Sequence, residues 1–337
     1  LAVPKVVFGT SALGNLYAEP PAETKLGILR AITRQLGANA VLDSAGKYGA
    51  GLSLEWIGRG LRELGVAPDQ VCISNKLGWY RIPLKGAEPT FERGVWMNLK
   101  NDAEQRISAE GILQCYEQGC DLLGAPYKPS LVSVHDPDEY LAAATSPADR
   151  ARRFEDVKGA YRSLIDLRQR GVVKGVGIGS KDWTIIRDLA AIIDFDWVMF
   201  ACSFTIFTHP KELLAFMAEL HARKVGIINS AVFNGGFLTG QSEYFDYRLV
   251  DAANSRDRAL IAWRDRFLGQ CRQHGVSPVV ACVRFGLSAP GVVSIALNSS
   301  KPERVAENVA TAYSDVPAAF WSALKDAKLV DPAYPYL

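Results

Sequence analysis

No two of the six cysteines stand in a C-x-x-C pair. Cys72, Cys115, Cys120, Cys202, Cys271 and Cys282 lie mostly within apolar runs, the pattern of buried, reduced thiols rather than a disulfide framework. No metal site is expected. The sequence also lacks any apolar stretch long enough to span a bilayer, and its first residues lack the basic-then-apolar layout of a signal peptide. The expected location is therefore the cytoplasm. Charge of one sign is not in excess either. Lysine plus arginine total 38 against 36 acidic residues, which gives no electrostatic reason for a nucleic-acid or membrane-surface partner. The basic clusters Arg150–Arg153 and Arg168–Arg170 sit among acids and read as solvated helix faces. No Pro/Ser-rich linker or low-complexity segment divides the chain, so a single domain over residues 1–337 is expected. A dinucleotide fingerprint G-x-G-x-x-G is missing as well. The nearest run, Gly175 to Gly179, reads G-x-G-x-G and is better explained as a strand packed closely against its neighbours.

What the chain does contain is alternation. Short apolar runs at Val6–Phe8, Val41–Leu42, Val71–Lys76, Ser130–His135, Val172–Ile178, Trp197–Cys202, Val225–Asn229 and Val292–Ile295 alternate with segments of helical periodicity. These helices are expected at Glu23–Leu36, Ser53–Leu64, Ser108–Leu123, Phe154–Arg170, Trp183–Ile193, Pro210–Arg223, Arg258–His274, Ser277–Leu287, Lys301–Tyr313 and Pro317–Lys328, with Ser53 capping the second. The runs are near-continuous, as strands buried on both faces require. The expected fold is α/β, a (β/α)8 TIM barrel with long loops at its C-terminal face. Two inserts, Gly78 to Ser108 and Ser230 to Asn254, are expected to be long functional loops.

Four reactive groups fall at or just beyond strand ends. Asp43 closes the second run, and Tyr48 follows it in a loop with Gly46, Gly49 and Gly51. Lys76 ends the third run and His135 the fourth. A barrel gathers such ends on one face. A phenol with an ordinary pKa of about 10 needs a nearby positive charge to exchange protons near neutrality. Lys76 supplies it, Asp43 neutralises Lys76, and His135 orients a substrate oxygen. Such a set handles a carbonyl or alcohol but carries no electrons, so a redox cofactor is implied.

At Gly9–Gly14, Leu42-Asp43-Ser-Ala-Gly-Lys-Tyr48-Gly, Ile73-Ser-Asn-Lys76-Leu-Gly, Leu131-Val-Ser-Val-His135-Asp-Pro-Asp and Asn298–Asn308, the chain resembles the aldo-keto reductase family. The resemblance implies that Asp43, Tyr48, Lys76 and His135 are a catalytic tetrad with Tyr48 as acid/base. It also implies an extended NADP or NAD across the barrel mouth. Thr10 would line that site, and the loop Ser230, Val232, Asn234 and Gly236 would hold the pyrophosphate. Asn298, Ser299 and Arg304 would approach the adenosine ribose, with Glu307 and Asn308 at the adenine. Four positions depart from the usual family pattern. Asn298 stands where many members have lysine, Gly179-Ser180 replaces Ser-Asn, Ala201 replaces Gln, and Asn229 replaces an aromatic that stacks on the nicotinamide. Ser180 is then the expected carboxamide contact.

Within the family the chain most resembles bacterial sugar dehydrogenases. That implies oxidation of a small-molecule aldose at C1, with Tyr17, Trp79 and Trp96 forming an apolar wall for the sugar. Reduction of aldehydes with NADPH and oxidation of pyridoxal are the same-class alternatives. A cofactor-binding regulatory subunit is the different-class one. No feature of the sequence fixes an oligomeric state.

Overall fold

The computed structural model describes residues 3–246 and 248–337. Its strands are β1 (Val6–Gly9), β2 (Ala40–Ala45), β3 (Val71–Leu77), β4 (Trp79–Pro83), β5 (Asn101–Gln105), β6 (Leu131–His135), β7 (Gly175–Ser180), β8 (Trp197–Ala201), β9 (Gly226–Ser230), β10 (Tyr244–Phe245), β11 (Arg248–Leu249) and β12 (Val292–Asn298). Eight of them close into a parallel barrel in the order β1-β12-β9-β8-β7-β6-β3-β2.

Strand alternation sorts the side chains into two sets. Phe8, Leu42 and Ile73 point outward and pack under one group of helices. Val132, Val134, Ile178, Val198 and Phe200 do the same under another. Inside the barrel, Trp197, Met199 and Ile228 form a separate cluster with Ala296. The G-x-G-x-G run is the counterpart of that cluster. A Cβ added at Gly177 would sit 2.1 Å from the Trp197 indole, and one at Gly179 would sit 3.6 Å from the Met199 Cβ. The glycines of β7 thus give their volume to two large neighbours on β8, as the close-packing reading expects.

Helices cover the outside. Gly58, on the helix Leu52–Glu63, lets that helix close on the end of Ala109–Leu123, because a Cβ there would meet the Leu123 carbonyl oxygen at 1.7 Å. Among the described residues no helix is long and apolar enough to cross a membrane.

Several boundaries differ from the sequence expectation. Ser53 does not cap its helix. It lies inside the first turn after Gly51, fully buried, and its hydroxyl donates to the Thr10 carbonyl at 2.8 Å. The helix expected from Phe154 begins at Pro147, where the Ser146 hydroxyl accepts from the Asp149 N–H. The strand expected at Val172 begins at Gly175, because residues 172–174 are spent on turning out of that helix. The first insert is not irregular throughout, since β4 and β5 pair as an antiparallel hairpin in the register Trp79↔Gln105. The second insert carries the short pair β10–β11.

Candidate active site

Parity and register bring the tetrad together. Asp43, Lys76 and His135 all occupy inward positions near the C-terminal ends of β2, β3 and β6. The registers Ala45↔Lys76 and Lys76↔Ser133 set them at adjacent levels. Tyr48 arrives by a tight turn. The Gly46 N–H donates to the Lys76 carbonyl at 3.2 Å and the Tyr48 N–H to the Ala45 carbonyl at 3.1 Å. Gly49 has φ 62°, and a Cβ there would lie 2.3 Å from the Gly14 carbonyl oxygen. Only glycine fits that approach. Below the turn, the Ser53 hydroxyl bonds Thr10 and receives a bond from Ser44, so β1, β2 and the following helix are stitched under Asp43.

The charges are placed in pairs. The buried Lys76 ammonium donates to Asp43 Oδ2, and the Ser74 hydroxyl holds Oδ1 at 3.1 Å. Burial pushes the Lys76 pKa down, but the Asp43 charge and the Tyr48 oxygen outweigh it and the net movement is upward. Lys76 is therefore a permanent cation. Its Nζ lies 4.8 Å from the Tyr48 ring centroid. Burial raises the Tyr48 pKa; Lys76 opposes that rise, Asp43 adds to it, and the phenol rests in its neutral form. The His135 ring meets Tyr48 edge-on with centroids 5.8 Å apart. Burial first, then the Lys47 and Lys76 charges, hold the His135 pKa well below its usual 6.5. The imidazole is neutral and can donate from one nitrogen.

The three aromatic residues occupy different depths. Trp96 lies 5.8 Å from Tyr48, centroid to centroid, and is anchored by its Nε1–H donating to Glu92 at 2.6 Å. Trp79 stands further back against Phe91, with the Lys47 ammonium 5.2 Å above its ring. Tyr17 is 63% exposed at the rim, and its N–H donates to the Val95 carbonyl. Of the three, Trp96 is the one with a ring pairing to a tetrad member among the described residues.

The positions expected to meet a dinucleotide divide similarly. Ala231, Asn234, Gly235 and Gly236 all have positive φ, so the loop after β9 coils tightly. The Asn234 amide is 1% exposed, and neither its nitrogen nor its oxygen has a hydrogen-bond partner among the described residues. Val232 is buried, and Ser230 donates to the Phe200 carbonyl at 3.0 Å. Asn298, Arg304 and Glu307 are exposed on the same rim, with Asn308 half-buried and donating to the Asn298 carbonyl at 3.2 Å. Ser299 is buried and accepts from the Lys301 N–H. An open rim with an unpartnered amide and an exposed guanidinium suits a phosphate-bearing dinucleotide. Thr10 instead serves the scaffold, its hydroxyl donating to the Asp43 carbonyl at 3.0 Å.

One expected contact, Ser180, is not brought to the mouth. Gly179 is the inward residue, so Ser180 points out, 1% exposed, and donates to the Asp182 carbonyl at 3.0 Å. A one-residue step in a strand changes the face. For the same reason Asn229 does not occupy a stacking position. It is fully buried outside the barrel, bonded to the carbonyls of Phe204 and Gly286 at 2.9 and 3.0 Å. Ser230 is the mouth-facing residue there.

A second charged group adjoins the tetrad and was not singled out from the sequence. Lys47 is 3% exposed, and its ammonium lies 2.7 Å from Glu92, 3.2 Å from Glu139 and 3.5 Å from Asp136. Asp136 Oδ2 lies 3.4 Å from His135 Nε2. The signal was present in the chain, since Lys47 precedes Tyr48 and Asp136 follows His135.

The model of the Aldo/keto reductase family matches residues 5–328. The chain is 28% identical to pyridoxal 4-dehydrogenase of Microbacterium luteolum and 27% identical to D-threo-aldose 1-dehydrogenase of a Pseudomonas species, in each case over 98% of this chain and 95% of the other. It is 23% identical to L-galactose dehydrogenase of Arabidopsis thaliana, covering 92% of this chain and 84% of that protein. Among solved structures, the holo form of an aldo-keto reductase from Bacillus halodurans superposes with TM-score 0.69 at 16% identity, covering 99% of this chain and 94% of the other. A glycerol dehydrogenase from Gluconobacter oxydans gives 0.67 at 18% identity, covering 99% and 95%. The chain belongs to the aldo/keto reductase family and is an NAD(P)-dependent oxidoreductase.

Proposed function

We propose that the enzyme oxidises an aldose at C1 to the lactone, with Tyr48 as the proton acceptor. The observation that supports this reading most is the stack Asp43–Lys76–Tyr48, with His135 edge-on to the phenol. Asp43 fixes Lys76, and the Lys76 cation stabilises the phenolate that the oxidation direction requires. Neutral His135 donates from Nε2 to the C1 oxygen and holds it against Tyr48. The O–H proton passes to Tyr48 as the C1=O bond forms. Bound NAD(P) supplies the acceptor for the C1 hydride, leaving lactone, reduced dinucleotide and one proton. Trp96, beside Tyr48, gives the C–H face of a sugar an apolar surface. The relatives named for aldose and galactose oxidation support the substrate class.

A second reading is carbonyl reduction, favoured by the neutral resting state of Tyr48, which suits a proton donor. Oxidation of pyridoxal is a third, supported by the relative of that name. One panel decides among them: aldoses and pyridoxal with NAD and NADP, and aliphatic and aromatic aldehydes with the reduced forms, followed by dinucleotide absorbance. Lactone formation from an aldose is expected. Turnover of aldehydes alone, or of pyridoxal alone, refutes the sugar assignment.

A further inference from the structure

Asp136 is built unlike a structural carboxylate. It follows His135 directly and takes φ 45°, a left-handed backbone that costs a non-glycine residue free energy. That conformation turns its side chain back toward the mouth, with Oδ2 at 3.4 Å from His135 Nε2 and 3.5 Å from Lys47 Nζ. Neither approach is a made hydrogen bond. Lys47 spends its closer contacts on Glu92 at 2.7 Å and Glu139 at 3.2 Å, and Glu139 is shared with Lys181 at 3.0 Å. Among the described residues no side chain or backbone N–H donates to Asp136 at hydrogen-bonding distance. A carboxylate whose side chain is 19% exposed and short of close protein donors relies on water, and a ligand that displaces that water must supply a donor in its place. The chain keeps one beside the nitrogen expected to hold the reacting oxygen.

We infer that Asp136 is a specificity-determining residue that accepts a hydrogen bond from a hydroxyl on the carbon next to the reacting carbon. The inference rests on the proposed role of His135. An oxygen held by Nε2 lies about 2.8 Å from that nitrogen. The second oxygen of a gauche vicinal diol lies about as far again from the first. With Oδ2 only 3.4 Å from Nε2, a substrate carrying both oxygens closes a ring of hydrogen bonds: His135 donates to one, and the other donates to Asp136. Burial raises the Asp136 pKa and the Lys47 charge works against that rise; the proposed bond uses the charged form. A substrate without the second hydroxyl leaves the carboxylate with only its longer contacts to Lys47 and His135. The favoured class is therefore α-hydroxy carbonyl compounds and the corresponding alcohols, which includes aldoses at C1.

The test compares wild type with Asp136→Asn on paired substrates. 2-Hydroxypropanal and propanal are reduced with NADPH or NADH, and L-galactose and 2-deoxy-L-galactose are oxidised with NADP or NAD. Melting midpoint and dinucleotide quenching of tryptophan fluorescence establish that the variant is folded and loaded. A hydrogen bond to a charged group gives wild type about a 10- to 100-fold preference in kcat/KM for the hydroxylated member of each pair. In the variant that preference is expected to shrink to about threefold or less. An equal loss on both members, with the preference intact, overturns the inference and leaves Asp136 acting only through His135. A wild type that does not distinguish the pairs overturns it too. If galactose is inert while 2-hydroxypropanal is preferred and the preference depends on Asp136, this inference stands and the sugar assignment falls.

Discussion

Replacing Lys76 by methionine removes the charge that the proposed chemistry depends on while keeping most of the side-chain volume. Its Nζ lies 4.8 Å from the Tyr48 ring centroid. At an effective dielectric of about 20, one charge at that distance is worth about 3.5 kcal/mol to the phenolate, roughly 2.5 pK units. Sugar oxidation near neutrality is therefore expected to fall ~300-fold, because the fraction of Tyr48 able to take a proton falls by that factor. The loss should appear in kcat/KM at every pH below the phenol's titration, and the rate should climb about tenfold per pH unit in both proteins. The substitution also strands Asp43, whose remaining side-chain partner among the described residues is the Ser74 hydroxyl. Breaking a buried pair from one side costs about 3–5 kcal/mol of stability. The double variant Asp43→Asn/Lys76→Met separates the two effects, since it should recover much of the stability and none of the rate. Lys76→Arg keeps a cation and should recover part of the rate. Steady-state kinetics over pH, with urea unfolding alongside, provide the readings. A Lys76→Met enzyme within tenfold of wild type, with an unmoved pH profile, would show that Tyr48 does not depend on Lys76 for its proton transfer.

Arg304→Ala removes the exposed guanidinium on the rim after β12. It is expected to raise KM for NADP about tenfold or more and KM for NAD much less, which dinucleotide titrations would show; an equal effect on both removes Arg304 from 2′-phosphate recognition. Gly58→Ala places a Cβ 1.7 Å from the Leu123 carbonyl oxygen and is expected to destabilise by about 1–3 kcal/mol in urea unfolding, whereas an unchanged midpoint would mean the two helices part freely. His135 has a folded pKa well below 6.5, so it stays neutral in the fold while the unfolded chain takes up a proton. Its contribution to stability is fully present above pH 6.5 and is lost as pH falls toward the folded pKa, at up to about 1.4 kcal/mol per pH unit. The stability gap between wild type and His135→Gln should therefore narrow below pH 6.5, and a constant gap would place the neutral-histidine argument in error.

The proposed tetrad was legible because Asp43, Lys76 and His135 each close an apolar run where a barrel strand has to end, and Tyr48 follows the first of them in a glycine-supported loop. A charged residue cannot sit deeper without a partner, and Asp43 and Lys76 partner each other across adjacent strands. The eight strands were legible for a related reason. A barrel buries both faces of each strand, so the runs are continuous enough to be counted. Their ends were less so, since Lys174 and Gly175 look alike to periodicity but fall on opposite sides of the start of β7. The hairpin β4–β5 was missed because its strands are short and hold polar residues such as Arg81, Asn101 and Glu104, which turn toward solvent or ion partners rather than into a core.

Parity explains the misplaced contact at Ser180 and the outward side chain of Asn229, and distance in sequence explains the unseen groups. Ser180 and Asn229 each lie one residue from the mouth-facing position on their strand, and motif correspondence alone does not count faces. Nothing local marks Lys47 as buried, for its burial is made by segments the chain supplies much later. Glu92 comes from the insert between β4 and β5, and Glu139 from the short helix Pro137–Ala142. Only when those two segments close over it does the lysine lose water, and only then does Asp136 run short of donors. The groups proposed to perform the general reaction are therefore written locally, at or just beyond strand ends. Those that would choose the substrate are written across segments up to 92 residues apart, which is why one fold can keep its chemistry while loops change what enters it.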